Sequence, residues 1–158
     1  MSTIRNRTVQ GLRSGDTFSA SRTFSEQDVR RFADMSRDYN PVHFDDRFAR
    51  VKKLEGRICH GLLVASLVTE IGGQIGWLAS GMDFTFRKPV YFGQTVHCEL
   101  TITEIDERGW ARAEARLFTD DGTTVMECVL SGIVPGNGEK RVMQDMVSEG
   151  DPTNKLTG

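Results

Sequence analysis

The sequence predicts an α+β fold in which an antiparallel sheet wraps around one buried helix. Three observations lead there. Residues 61–71 are apolar almost all round, so a helix in that stretch must be buried on most of its faces. Farther on, the chain alternates with period two. Met82, Phe84 and Phe86 share one face, then Val96, Cys98, Leu100 and Ile102. Ala111, Ala113, Ala115 and Leu117 share a third, and Met126, Cys128 and Leu130 a fourth. Turn signals at 106–109 and 120–122 separate the last three runs, as in an antiparallel meander. A helix apolar on all sides requires a curved sheet to cover it.

Residues 1–13 are polar and short of periodicity, and read as a flexible N-terminal arm. Residues 16–24 alternate as a strand, with Phe18 on one face. Ser25-Glu26-Gln27-Asp28 resembles a capping box with Asp in place of the usual Glu. Val29, Phe32, Ala33 and Ser36 follow at helical spacing, with Arg30, Arg31 and Asp34 outside them. That helix must stop before Asn40-Pro41, because the residue preceding a proline is pushed out of the α region. Asp45-Asp46 caps a short helix through Arg50, and residues 52–57 form an exposed loop. Gly72, Gly73 and Gly76 weaken the second half of the buried helix or mark close backbone approaches. From Pro135 the composition turns to Gly, Asn, Glu, Asp and Lys and reads as a flexible tail. One domain over 14–134, between an arm at 1–13 and a tail at 135–158, is the expected organisation.

A length of 158 residues with 38% hydrophobic and 27% charged residues suits one soluble globular domain. A net charge of −2 argues against nucleic acid as a partner. No apolar run reaches the roughly 20 residues a membrane span needs, so no membrane role is expected. The start lacks the apolar stretch of a secretory signal. Cys59, Cys98 and Cys128 show no Cys-x-x-Cys spacing and read as reduced thiols of a cytoplasmic protein, without disulfides or zinc.

The chemistry-bearing residues cluster around one turn. Asp38 and His43 flank Asn40-Pro41, and a turn between an acid and an imidazole can aim both at one point. Cys59-His60-Gly61 opens the buried run, a helix start with free N–H groups. Plain readings stand beside these. Asp38 alone reads equally well as a solvated residue at a helix end. His60 reads as packing or capping, Cys59 as inert packing, and His97 as solvent-facing. Arg30-Arg31 reads as an exposed helix face, and Met82, Phe84 and Phe86 as core rather than ligand contacts. A metal set built from His43, Asp45, Asp46 and His60 is conceivable, but consecutive Asp45-Asp46 suits capping better, so no metal is expected.

The segment 32–43, ending Ser36-Arg37-Asp38-Tyr39-Asn40-Pro41-Val42-His43, resembles the hydratase-2 motif of MaoC-like, (R)-specific enoyl-CoA hydratases. Residues 56–63, with Arg57-Ile58-Cys59-His60-Gly61-Leu62, resemble the second signature of that family. Residues 84–93, with Pro89-Val90 and Gly93, resemble a third. The resemblance covers about residues 12–134. Arg37 replaces the motif glycine, and Gln94 stands where Asp is usual.

The resemblance implies a hot-dog fold, a homodimer, and reversible hydration of trans-2-enoyl-CoA to (R)-3-hydroxyacyl-CoA. No cofactor is implied, since coenzyme A is part of the acyl-CoA thioester substrate. Asp38 would be the main base toward water, and His43 would orient that water and share in proton delivery. Gly61 would offer a backbone N–H to the thioester oxygen. Asn40 would tie down the loop, Thr69 would line the acyl pocket, and Arg87-Lys88 would meet coenzyme A phosphates or simply end a strand in solvent. The rival functions are a (R)-3-hydroxyacyl-carrier-protein dehydratase, a hydratase for branched or dicarboxylic acyl-CoA, a thioesterase, and a non-catalytic acyl-thioester binding subunit.

Overall fold

The computed structural model describes residues 3–157. Its elements are α1 (Ile4–Gln10), β1 (Thr17–Thr23), α2 (Glu26–Ser36), a 3-10 turn (Pro41–His43), α3 (Asp46–Val51), α4 (Gly61–Ile75), β2 (Leu78–Phe86), β3 (Thr95–Ile105), β4 (Trp110–Thr119), β5 (Thr124–Ile133) and α5 (Asn137–Ser148). The strands form one antiparallel sheet in the order β1-β3-β4-β5-β2. Strands β3, β4 and β5 are the expected meander.

Local sequence explains most boundaries. Ser25 accepts from the Asp28 N–H while the Asp28 carboxylate accepts from the Ser25 N–H, so both halves of the capping box form. Asp45 caps α3 by accepting from the N–H groups of Arg47 and Phe48. Gly76 ends α4 at φ 80°, a left-handed cap that glycine adopts without strain. Helix α4 lies in the curve of the sheet and touches β1, β2 and β3. Its Leu67, Val68, Ile71 and Ile75 are fully buried, in one cluster with Phe18, Leu100, Ile102 and Leu117.

Strand β2 departs from expectation. Phe84 packs against the core, but Met82 is 39% and Phe86 55% exposed. The cause is position: β2 pairs only with β5 and forms an edge of the sheet. Alternation told which residues share a face, not whether that face is covered.

The chain ends also differ from the expected flexible arm and tail. Residues 4–10 are the helix α1 and residues 137–148 the helix α5, and the two pack together. Ile4 is fully buried, and its N–H donates to the Leu156 carbonyl at 2.9 Å. The Arg5 guanidinium pairs with the buried Asp151 carboxylate and donates to Thr153 Oγ1 at 2.7 Å. Gln74 of α4 donates to the Thr153 carbonyl at 2.8 Å and accepts from the Lys155 N–H at 2.9 Å. Helices this short and polar draw their order from such tertiary contacts rather than from propensity.

All three cysteines are buried and unpaired. Burial pushes the Cys59 and Cys98 thiols up to about 12 and Cys128 to about 11. Among the described residues no helix is long and apolar enough to cross a membrane.

Candidate active site

Asp38 sits just beyond the left-handed cap of α2, where Arg37 has φ 61° and ψ 21°. The turn that follows is a chain of side-chain to backbone bonds. The Asp38 N–H donates to Ser36 Oγ at 3.2 Å. Asp38 Oδ1 accepts from the Asn40 N–H at 3.1 Å, and Asn40 Oδ1 accepts from the Val42 N–H at 3.2 Å. Asn40 is therefore a loop tie, and its side chain does not line the cavity. Pro41 opens the 3-10 turn that delivers His43.

His43 is 6% exposed, whereas the Asp38 side chain is half exposed. His43 Nδ1 lies 2.8 Å from the Ile58 carbonyl. A carbonyl only accepts, so Nδ1 carries the proton and Nε2 keeps a lone pair in the neutral ring. That Nε2 is 3.9 Å from Asp38 Oδ2. The gap is too long for a direct hydrogen bond, yet both atoms can reach one small molecule set between them. Burial holds the His43 pKa below its ordinary value of 6.5, and His60 pushes the same way, while the Ile58 carbonyl and Asp38 oppose. Neutral imidazole is thus the form poised at pH 7.

His60 is the N-cap of α4 but makes no side-chain cap bond, so it does not occupy the first N–H groups of the helix. Gly61 begins α4 at the cavity wall. A Cβ built on it would come within 2.6 Å of the Phe86 ring. Only hydrogen fits there while the ring keeps its place, so Phe86 packs directly against the start of α4.

Asp38, His43, His60, Gly61, Phe32 and Phe86 line one cavity of about 620 Å³. Met126 and Val64 form apolar wall, and Arg87 and Lys88 also border it. Arg87 is held by Glu127 at 2.8 Å. Arg57 braces the surroundings, reaching Glu26 at 3.0 Å and Asp46 at 3.3 Å with its guanidinium over the Phe92 ring.

Of the residues singled out in the sequence, Asp38, His43 and Gly61 meet in this cavity. Thr69 does not. It is exposed farther along α4, and its hydroxyl donates to the Ser66 carbonyl at 2.7 Å. Phe86 was read as core and is instead a cavity wall. Its place at the end of a strand, next to Arg87-Lys88-Pro89, was the available signal. Phe32 was legible only as a helix face.

Donor atoms of Asp38, His43 and His60 lie within 4.8 Å of one another, a spacing that would admit an ion. The rings of His43 and His60, however, stack 3.8 Å apart at 29°. One nitrogen of each ring also meets a carbonyl, which leaves one nitrogen per ring for any further partner. A serine–histidine–aspartate chain, Ser21 to His97 to Asp120 with 2.6 Å at each step, lies on the opposite edge region of the sheet. None of its members lines the cavity. It links β1 to the β4–β5 turn, so His97 is bonded rather than simply solvent-facing.

The family model of the MaoC like domain matches residues 12–120. The chain belongs to the MaoC-like family. It is 34% identical over 119 residues to the (R)-specific enoyl-CoA hydratase of Aeromonas caviae, covering 72% of this chain and 89% of that protein. A mitochondrial 3-hydroxyacyl-[acyl-carrier-protein] dehydratase of Arabidopsis thaliana is 35% identical over 97 residues, 60% of this chain and 57% of its own length. The solved (R)-hydratase of A. caviae superposes with a TM-score of 0.74 at 32% identity, over 80% of this chain and 99% of that one. An R-hydratase of Pseudomonas aeruginosa does so with 0.75 at 26% identity, over 82% and 86%. The sheet wrapped around α4 is thus the hot-dog fold of MaoC-like hydratases.

Proposed function

We infer that this MaoC-like protein is an (R)-specific enoyl-CoA hydratase, a hydro-lyase acting on acyl thioesters without a metal or redox cofactor. The observation that carries the reading is the His43 Nε2 set 3.9 Å from Asp38 Oδ2 beside the start of α4, which no side chain caps. A water molecule has two protons, and the two acceptors can each take one. Its oxygen lone pair is then free to face the β carbon of the substrate. As the C–O bond forms, Asp38 accepts the water proton and His43 holds the oxygen in line. The π electrons of the C=C bond move toward the thioester carbonyl. The Gly61 N–H and the positive end of α4 stabilise the enolate oxygen, a kind of donor worth about 3–4 kcal/mol. The α carbon then recovers a proton from the acid–base pair, completing addition of water.

Coenzyme A phosphates suit Lys88 and Arg87 at the cavity border. A homodimer fits the edge position of β2 and the exposure there of Met82 and Phe86. Leu62 of α4 is also exposed and lines the cavity with Phe86.

The test is loss of enoyl-thioester absorbance with crotonyl-CoA, with the product's configuration read by stereospecific 3-hydroxyacyl-CoA dehydrogenases. The wild type should form the (R)-product. Asp38→Asn and His43→Ala should each lose about 10²–10⁴-fold in rate, the usual worth of general acid–base catalysis. Inertness toward crotonyl-CoA and longer enoyl-CoA thioesters sinks the reading. The second reading, a carrier-protein dehydratase, rests on the likeness to the Arabidopsis protein. A higher kcat/KM for crotonyl carrier protein than for crotonyl-CoA selects it.

A further inference from the structure

We propose that His60 is a positioning residue that fixes both halves of the acid–base pair, holding the backbone of Asp38 and the ring of His43 at once. The proposal rests on the hydratase reading and extends it to a residue that neither donates to nor accepts from substrate.

His60 is 2% exposed. Its Nε2 lies 2.9 Å from the Asp38 carbonyl, so that nitrogen carries the proton and donates. The Asp38 N–H is meanwhile bonded to Ser36 Oγ. Both polar groups of the Asp38 backbone are therefore engaged, one of them by His60 alone. The His60 ring stacks on His43 at 3.8 Å and leans on Phe32 at 4.9 Å, clamped between a cavity residue and a helix. Its own backbone carbonyl accepts the first bond of α4, from the Val64 N–H at 3.2 Å. One residue thus touches the carboxylate loop, the imidazole and the helix start. The cost of this placement is visible: its Nδ1 is buried without a partner among the described residues. A residue kept only for packing would be better served there by an apolar ring.

Two variants separate the contacts. His60→Phe keeps a ring to stack but cannot donate, and His60→Gln can donate but cannot stack as a ring. In His60→Phe, kcat for crotonyl-CoA hydration should fall about 10- to 100-fold with KM within about twofold, as for a misplaced catalytic group. His60→Gln should recover part of that loss. The His43 ring titration, followed by NMR, supplies a reading independent of turnover. The titratable and charged groups around His43 are Asp38 on its own loop, His60 at the head of α4, and Arg87 and Lys88 across the cavity. Removing the stacked imidazole changes both the packing and the polar surroundings of His43, so the His43 midpoint should move from its wild-type value in both variants. Wild-type kcat in His60→Phe overturns the proposal, as does an equal loss in both variants with the His43 midpoint unmoved. If wild type hydrates no enoyl thioester, the hydratase reading fails on its own. The His43 titration then decides the positioning role, and an unmoved midpoint overturns it.

Discussion

Arg37 carries the least comfortable backbone of the site. Its φ of 61° lies in the left-handed region, which costs a side-chain-bearing residue roughly 1–2 kcal/mol. The motif this segment resembles has glycine at this place, and the replacement is visible in the sequence while its geometry is not. Glycine would relieve the strain but also loosen the unfolded chain, offsetting part of the gain. Arg37→Gly should therefore stabilise by about 0.5–1 kcal/mol, visible as a Tm rise of about 1–4 °C. A fall in Tm would contradict the strain. His43 gives a second prediction at this scale. Its folded pKa is lowered, so the unfolded chain takes up the proton more readily. The stability tied to its neutral form is complete above pH 6.5 and is lost as pH falls from there through the folded value. Urea unfolding at pH 7.5 and 5.5 should show a smaller difference in His43→Gln than in wild type. The Asp38 and His43 pairing was legible because a proline fixes the turn between them. The wall residues Phe32 and Phe86 and the clamp of His60 were not, because each depends on contacts between elements distant in sequence.

Among the elements, the capping box of α2, the Asp45 cap and the apolar run of α4 could be read directly, since each is a local pattern with a local cause. Helices α1 and α5 could not. Their sequences are polar, and α5 has one buried residue, Met143. What orders them is a clasp over the far end of α4, centred on Arg5, Asp151 and Thr153. The Asp151 carboxyl is held below its ordinary range first by the Thr153 hydroxyl and further by Arg5. Arg5→Leu should leave Asp151 without its cation, bonded to Thr153 alone, and so lower Tm and speed amide hydrogen exchange over residues 4–10. Crotonyl-CoA turnover per folded molecule should be unaffected, since none of the three residues lines the cavity. Unchanged exchange in α1 would remove the clasp from the account of its order.

At the scale of the whole molecule, the predicted class of sheet and helix stands, and the error in β2 is informative. Period-two alternation assigned Met82 and Phe86 to the face of the core, and that face is right. What alternation lacks is any record of an edge. Strand β2 leaves that flank open in a single chain, and an uncovered apolar edge invites pairing. Light scattering coupled to gel filtration should give twice the chain mass of 17.7 kDa. Met82→Glu should shift it toward a single copy. A wild-type mass of one copy would discard the dimer while leaving the cavity intact.

The contact between Gly61 and Phe86 carries a consequence for how such sequences can diverge. The missing Cβ and the aromatic ring are two halves of one steric bargain, separated by 25 positions and lying on different elements. Position 61 is not free to gain a side chain while the ring stays where it is. A lineage that acquires alanine at 61 must shrink the ring at 86 or swing it aside, and one that holds the ring in this place keeps glycine. Across an alignment, the two columns should therefore change together, even though no chemistry passes between them.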